Sequence, residues 1–196
     1  MASYVYTIKT AEPALYALPS TLSASDTLAI LHDHSTLARI LYPSTPSLTH
    51  TIYESRLNPT ETKLTITALE PRSTYTASLT SPPDQNGGGV VLTESMPLGL
   101  DMTISYSVTP YEKGSGIHLR EGRSVTVPKF LAFLVNFKKE VIPKTRNLLR
   151  FLEEFGPDGK DIQSALASLE AGEEDLDRGQ DRLGDKDEKG VKAKIQ

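Results

Sequence analysis

The sequence predicts an α+β domain in which a seven-stranded curved antiparallel sheet wraps a long C-terminal helix. Two observations carry this expectation. Six segments between Leu48 and Val127 alternate apolar and polar residues over strand-like lengths, each bounded by turn residues. After them, Phe130, Leu134, Phe137, Val141, Leu148, Leu152 and Phe155 recur at steps of three, four or seven, which is helical spacing. The links between the six segments are short, so neighbouring strands must run antiparallel.

In chain order, Ser3–Thr10 alternates Tyr4, Tyr6 and Ile8 against Val5, Thr7 and Lys9 and reads as the first strand. Residues 13–24, rich in Pro, Ser and Ala, read as a connector. Ser25 or Asp26 can cap a short helix carrying Leu28 and Leu31, and Asp33 or Ser35 a second one through Leu37, Ile40 and Leu41, ended by Pro43 and Pro46. Strands are expected over Leu48–Arg56, Thr62–Glu70, Thr74–Thr80, Val90–Ser95, Leu100–Thr109 and Ile117–Val127. The final helix is expected from 129 to 155, about 40 Å if continuous, with a bend or break near 139–143 imposed by Pro143. Gly156-Pro157 stops it. Ile162, Leu166 and Leu169 fit a further short helix, and the dense charge and glycine from Gly172 onward read as disorder.

The chain has 196 residues, enough for one domain, taken as 1–155, followed by a charged tail over 156–196. The tail holds seven Lys/Arg and eleven Asp/Glu, so it carries the whole net charge of −4 and leaves the core neutral. Within that core, 129–150 is basic, with Lys129, Lys138, Lys139, Lys144, Arg146 and Arg150 against Glu140 alone. A peripheral contact of this basic helix with an anionic surface is one reading. There is no cysteine, which removes disulfides and thiolate chemistry and fits a reducing compartment. No segment reads as a signal peptide or a transmembrane span, so the expected location is cytoplasmic.

The order of one strand, two short helices, six strands and a long helix resembles the helix-grip fold of the START, Bet v 1 and polyketide-cyclase superfamily. Pro97-Leu98-Gly99-Leu100-Asp101, Gly116-Ile117-His118-Leu119-Arg120-Glu121 and the His32-Asp33-His34 junction are similar to an uncharacterised fungal domain family within it. The resemblance covers about residues 1–155 and implies a pocket for a hydrophobic or amphipathic small molecule between sheet and helix, which a minority of members use for cyclisation, dehydration or hydrolysis.

Several residues are candidates for that pocket. On the even positions from Val90 to Val108, Glu94 alone interrupts an apolar series. If one register holds, it faces the core, where burial would raise its pKa and make it an acid or base. The alternative is that Pro97 and Gly99 reset the register. His118 and Arg120 share a face of the last strand and would hold a ligand carboxylate or phosphate if that face looked inward. Tyr53, Tyr75 and Tyr106 each lie in a strand and could orient a ligand through their hydroxyls. Phe130, Phe133, Leu134 and Phe137 are expected to line one wall, and Leu100, Met102, Ile104 and Tyr106 the other.

No cofactor and no metal site are expected: His32 and His34 diverge on a helix, and no ligand-spacing motif accompanies them. Gly87-Gly88-Gly89 lacks the Lys-Ser/Thr and the helix of a phosphate loop. No nucleic-acid partner is expected for a neutral core. The leading expectation is carriage of a lipid or secondary metabolite. The rivals are a cyclase- or dehydratase-type enzyme using Glu94, His118 or a tyrosine, and an interaction module regulated by the tail.

Overall fold

A computed structural model describes residues 5–44, 50–68, 73–82, 88–96, 99–110, 116–158 and 161–180. Parts of the sequence expectations, including the start of the first strand, the ends at 48–49 and 69–70 and the chain beyond 180, lie outside the described residues. Strands β1 (Tyr6–Thr10) and β2 (Ala14–Ala17) precede helices α1 (Ala24–His32) and α2 (His34–Leu41). Then come β3 (His50–Asn58), β4 (Glu61–Ala68), β5 (Ser73–Thr80), β6 (Gly89–Met96), β7 (Leu100–Pro110) and β8 (Ile117–Pro128). A 3₁₀ helix over Lys129–Leu134, α3 (Pro143–Asp158) and α4 (Ile162–Gln180) complete the chain.

All strand pairs are antiparallel in one sheet of order β1-β8-β7-β6-β5-β4-β3, with β2 also pairing β8. The strand β2 is an eighth, in the stretch expected to be a connector. It and β1 occupy the same edge of β8: Tyr6–Thr10 pair with Ser124–Pro128 and Ala14–Ala17 with His118–Glu121. The Ala11 amide still bonds Arg123 O at 2.9 Å, so the two are halves of one strand kinked around Pro13.

Helix α1 is capped at Ser23, two or three residues earlier than the sequence suggested. The Ser23 hydroxyl accepts from the Asp26 amide at 3.1 Å, and the Ser23 amide donates back to Asp26 Oδ2 at 3.4 Å, a capping box. Asp33 serves as N-cap of α2 through Thr36 N. His34, buried in that first turn, has Nδ1 2.9 Å from Thr62 Oγ1 and Nε2 2.9 Å from Ser81 Oγ, which ties α2 to β4 and to the residue after β5.

The expected long helix from 129 is three segments instead. Phe130 and Phe133 are spaced by three, which suits a 3₁₀ turn. Pro143 disfavours the α conformation at Ile142, and the helix is broken at that point. It starts α3 as the first helical residue, where its missing N–H is not needed. Only the second half of the apolar stripe packs on the sheet: Leu148, Phe151 and Leu152 are fully buried.

The core fills the space between the inner sheet face and the helices. Leu64, Ile66, Leu79, Leu92, Ile104 and Leu119 from the sheet meet Leu31, Leu37 and Ile40 from α1 and α2 and the α3 trio. Beyond the expected boundary at 155, α4 adds Ala165, Leu166 and Leu169 to the same cluster. Arg39 on α2 also reaches Gln163 at 3.2 Å and Glu170 at 3.7 Å. The first part of the segment assigned to an appendage is therefore integral to the core.

Candidate functional site

The inner sheet face carries two buried polar clusters set among apolar side chains. The first is built on Glu94. Met96 pairs with Leu100 and Glu94 with Met102, so three residues separate the paired ends and even positions stay on one face across the hairpin. The register is not reset, and Glu94 is only 4 % exposed. Asp101, on the opposite face, accepts from Ser95 Oγ at 2.8 Å and fastens the hairpin.

Two other elements supply the partners of Glu94. The Tyr42 hydroxyl, at the C-cap of α2, donates to Glu94 Oε1 at 2.5 Å. Lys144, in the first turn of α3, places Nζ 3.2 Å from the same oxygen and 5.0 Å from the centre of the Tyr42 ring. Both contacts converge on Oε1, so neither takes up Oε2. Tyr75 lies beside Tyr42, with ring centres 6.3 Å apart. Burial first, then the charge and hydrogen bond of Glu94, hold the Tyr42 phenol far above its ordinary pKa. Burial and the Glu94 charge push Tyr75 up to about 12. Both phenols therefore remain protonated donors at neutral pH. Lys144 is 21 % exposed and connects the cluster to water.

The second cluster is built on Glu121, which faces Tyr106 across the β7–β8 pair, four residues along β7 from Met102. That spacing is about 13 Å at strand rise. Tyr16 of β2 donates to Glu121 Oε2 at 3.2 Å, and Arg123 Nε lies 2.8 Å from Oε1. Glu121 and Arg123 are both buried. Burial and then the Glu121 charge raise the Tyr16 pKa. Between the clusters, the buried Tyr106 hydroxyl is 2.9 Å from Thr145 Oγ1 on α3. Burial is the main cause that raises its pKa, against the opposing Thr145 hydrogen bond.

The structure brings together some of the residues expected to form a pocket and separates others. Glu94, Tyr75, Met102, Ile104 and Tyr106 share the inner face, with Leu100 at its partly exposed end. His118 and Arg120 do not. Leu119, Val125 and Val127 fix the odd positions of β8 as the inner ones, so His118 and Arg120 lie on the outer face. Tyr53 also faces outward, because Ile52 pairs with the buried Ile66; Tyr53 is 70 % exposed. Phe130, Phe133 and Leu134 stand on the exposed 3₁₀ turn and line no sheet–helix wall. Phe137 is half-buried in a groove of about 590 Å³ between Lys9–Ala14 and Val135–Lys139, which Arg123 also lines.

Sequence reasoning missed Tyr42, Lys144, Glu121 and Arg123. The last two were recoverable by the alternation argument that singled out Glu94, since they share parity with Leu119 and Val125. Tyr42 and Lys144 lie about fifty residues to either side of Glu94 on helix ends, and nothing local marks them. Among the described residues no three His, Asp or Glu side chains converge as a metal site, and no helix is long and apolar enough to cross a membrane.

No family model matches the sequence, and no curated protein matches it. Several solved structures are similar in shape. A truncated norcoclaurine synthase from Thalictrum flavum superposes with a TM-score of 0.47 at 14 % identity, over 84 % of this chain and 93 % of that one. Ara h 8.0201 gives 0.42 at 14 % identity, over 85 % and 96 %. The di-domain ARO/CYC StfQ from the steffimycin biosynthetic pathway gives 0.43 at 13 % identity, over 89 % of this chain and 53 % of that one. By its own topology, one curved antiparallel sheet with a helical pair near its start and a C-terminal helix across its inner face, the chain has a helix-grip architecture.

Proposed function

We propose that the protein binds an amphipathic small molecule whose polar group is held by the Glu94–Tyr42–Lys144 cluster. The observation that carries this reading is a nearly buried carboxylate on an apolar sheet face, met by a phenol at 2.5 Å and an ammonium at 3.2 Å from two different helices. An apolar site with a few convergent polar groups is the usual chemistry of a small-molecule pocket. The interior under α3 is filled by Leu148, Phe151 and Leu152, so the ligand body has to approach from the end of the sheet. There Tyr75, Met96, Leu100, Met102 and Ile142 are all only partly buried. A ligand hydroxyl or amine donating to Glu94 would gain a charge-assisted hydrogen bond.

The test is native mass spectrometry of the purified full chain for a co-purified small molecule, repeated with Glu94→Gln. A bound mass in the wild type that is lost or strongly reduced in the variant supports the reading. A ligand retained unchanged in Glu94→Gln, or no bound mass after incubation with a panel of amphipathic metabolites, overturns it.

One observation favours a second reading, a cyclase- or dehydratase-type enzyme. Glu94 and a tyrosine do meet within hydrogen-bond distance, as an acid–base pair requires. His118 lies on the opposite face and takes no part. Conversion, rather than mere binding, of a molecule captured in the first experiment would establish it.

A further inference from the structure

We propose that the turn Lys129–Leu134 is a membrane-docking element that inserts Phe130, Phe133 and Leu134 into the surface of an anionic bilayer. The proposal stands apart from the Glu94 cluster and rests on the segment between β8 and α3.

Scattered exposed apolar residues need no explanation, but here they are gathered on one short turn. Phe130, Phe133 and Leu134 are 72 %, 78 % and 65 % exposed. A 3₁₀ helix has three residues per turn, which puts Phe130 and Phe133 on the same side. Val5, also exposed, lies beside them, since its carbonyl accepts from Lys129 N at 2.9 Å. That bond pins the start of the turn. Val135 N bonds Ala132 O at 3.3 Å, and Lys9 Nζ donates to Val135 O at 3.3 Å, which pins its end. The aromatic rings are thus held outward by a fixed backbone, with little ordering left to lose on insertion.

Charge selects the occupant. From Lys129 to Lys139 the chain has three lysines and no carboxylate, and the three lysines are exposed at the two ends of the apolar block. Lysines flanking an inserted apolar segment can extend their amines to the phosphate level while their stems lie against the acyl boundary. Each basic residue near an anionic leaflet adds further attraction that falls off with salt.

The experiment uses the full chain and two kinds of vesicle: phosphatidylcholine alone, and phosphatidylcholine with about 30 % phosphatidylserine. Because the chain has no tryptophan, Phe133→Trp supplies a single reporter. The expected result is cosedimentation with the mixed vesicles that weakens with salt, and a blue shift of Trp emission on binding. Phe130→Ser/Phe133→Ser should lower partitioning at least about tenfold. Lys138→Glu/Lys139→Glu should lower it about as much, and neither should shift the thermal midpoint, since all four side chains lie outside the core. Absence of binding to the mixed vesicles overturns the proposal. So does binding indifferent to both double variants. A concentration-dependent dimer abolished by Phe130→Ser/Phe133→Ser would also overturn it, by assigning the patch to a second copy of the chain.

Discussion

Removing the cation of the Glu94 cluster is the most informative perturbation of the fold. At 3.2 Å and an effective dielectric of about 20, the Lys144–Glu94 attraction is on the order of 5 kcal/mol before desolvation is charged against it. Breaking one partner of a fully buried pair costs about 3–5 kcal/mol. Lys144 is one-fifth exposed, so water already screens part of the interaction, and Glu94 keeps the Tyr42 hydrogen bond. Lys144→Met should therefore destabilise by about 2 kcal/mol, and Glu94→Gln, which frees Lys144 to turn toward water, by about 1 kcal/mol. The double variant has no charge left to strand, so it should be less damaging than the two singles combined, with a coupling of about 1–2 kcal/mol. Urea unfolding of the four proteins measures this directly. At this chain length the Lys144→Met loss corresponds to about 4–8 °C in thermal midpoint. Additivity within about 0.3 kcal/mol, or a neutral Lys144→Met, would show that the two groups do not stabilise one another.

Two further outcomes are expected. Leu166→Ala should cost about 3 kcal/mol in urea unfolding, because Leu166 is buried against the main core; a change below about 0.5 kcal/mol, the range of ordinary surface substitutions, would mean that α4 is not integral. His34 has its pKa lowered by burial first and then by His32 and Arg56, so the folded ring resists a proton that the unfolded chain accepts. Stability is thus complete above the unfolded value near 6.5 and falls as pH drops below it toward the lower folded value. His34→Gln should flatten this part of the pH profile, and identical slopes for the two proteins would contradict the assignment.

Strand positions were legible wherever one face of the sheet is apolar. The alternation of Leu64 and Ile66, or of Leu100 through Val108, is imposed by a buried face meeting a wet one, and the observed strands differ from the expected ones by one or two residues. The strand β2 was not legible, because in four residues after a proline only Tyr16 favours a strand, against Ala14 and Ala17, which disfavour it. Its pairing with β8 is a tertiary decision. The long helix failed for a different reason. Steps of three suit both a 3₁₀ turn and an α-helix, and the stripe joined the exposed Phe130 and Leu134 to the buried Leu148 and Leu152 across Pro143. In the site, Glu94 was legible from register, whereas His118 and Arg120 were chosen for their chemistry with the facing of β8 left open. Leu119, Val125 and Val127 decide that facing, and they select Glu121 and Arg123 instead.

The kink at Pro13 has a bearing on how the sheet meets other chains. An open sheet ends in rows of unpaired amides and carbonyls that can template a foreign strand. On the β1/β2 side that row is interrupted: five residues, a break at Ala11–Pro13, then four more on a shifted line. Pro13 contributes no amide, and Lys9 and Glu12 place opposite charges along the margin. Among the described residues, a strand arriving from another molecule meets two short strands, β1 and β2, on either side of Pro13 rather than one continuous edge. The irregularity that hid β2 from the sequence pattern thus also guards this border of the sheet against self-association.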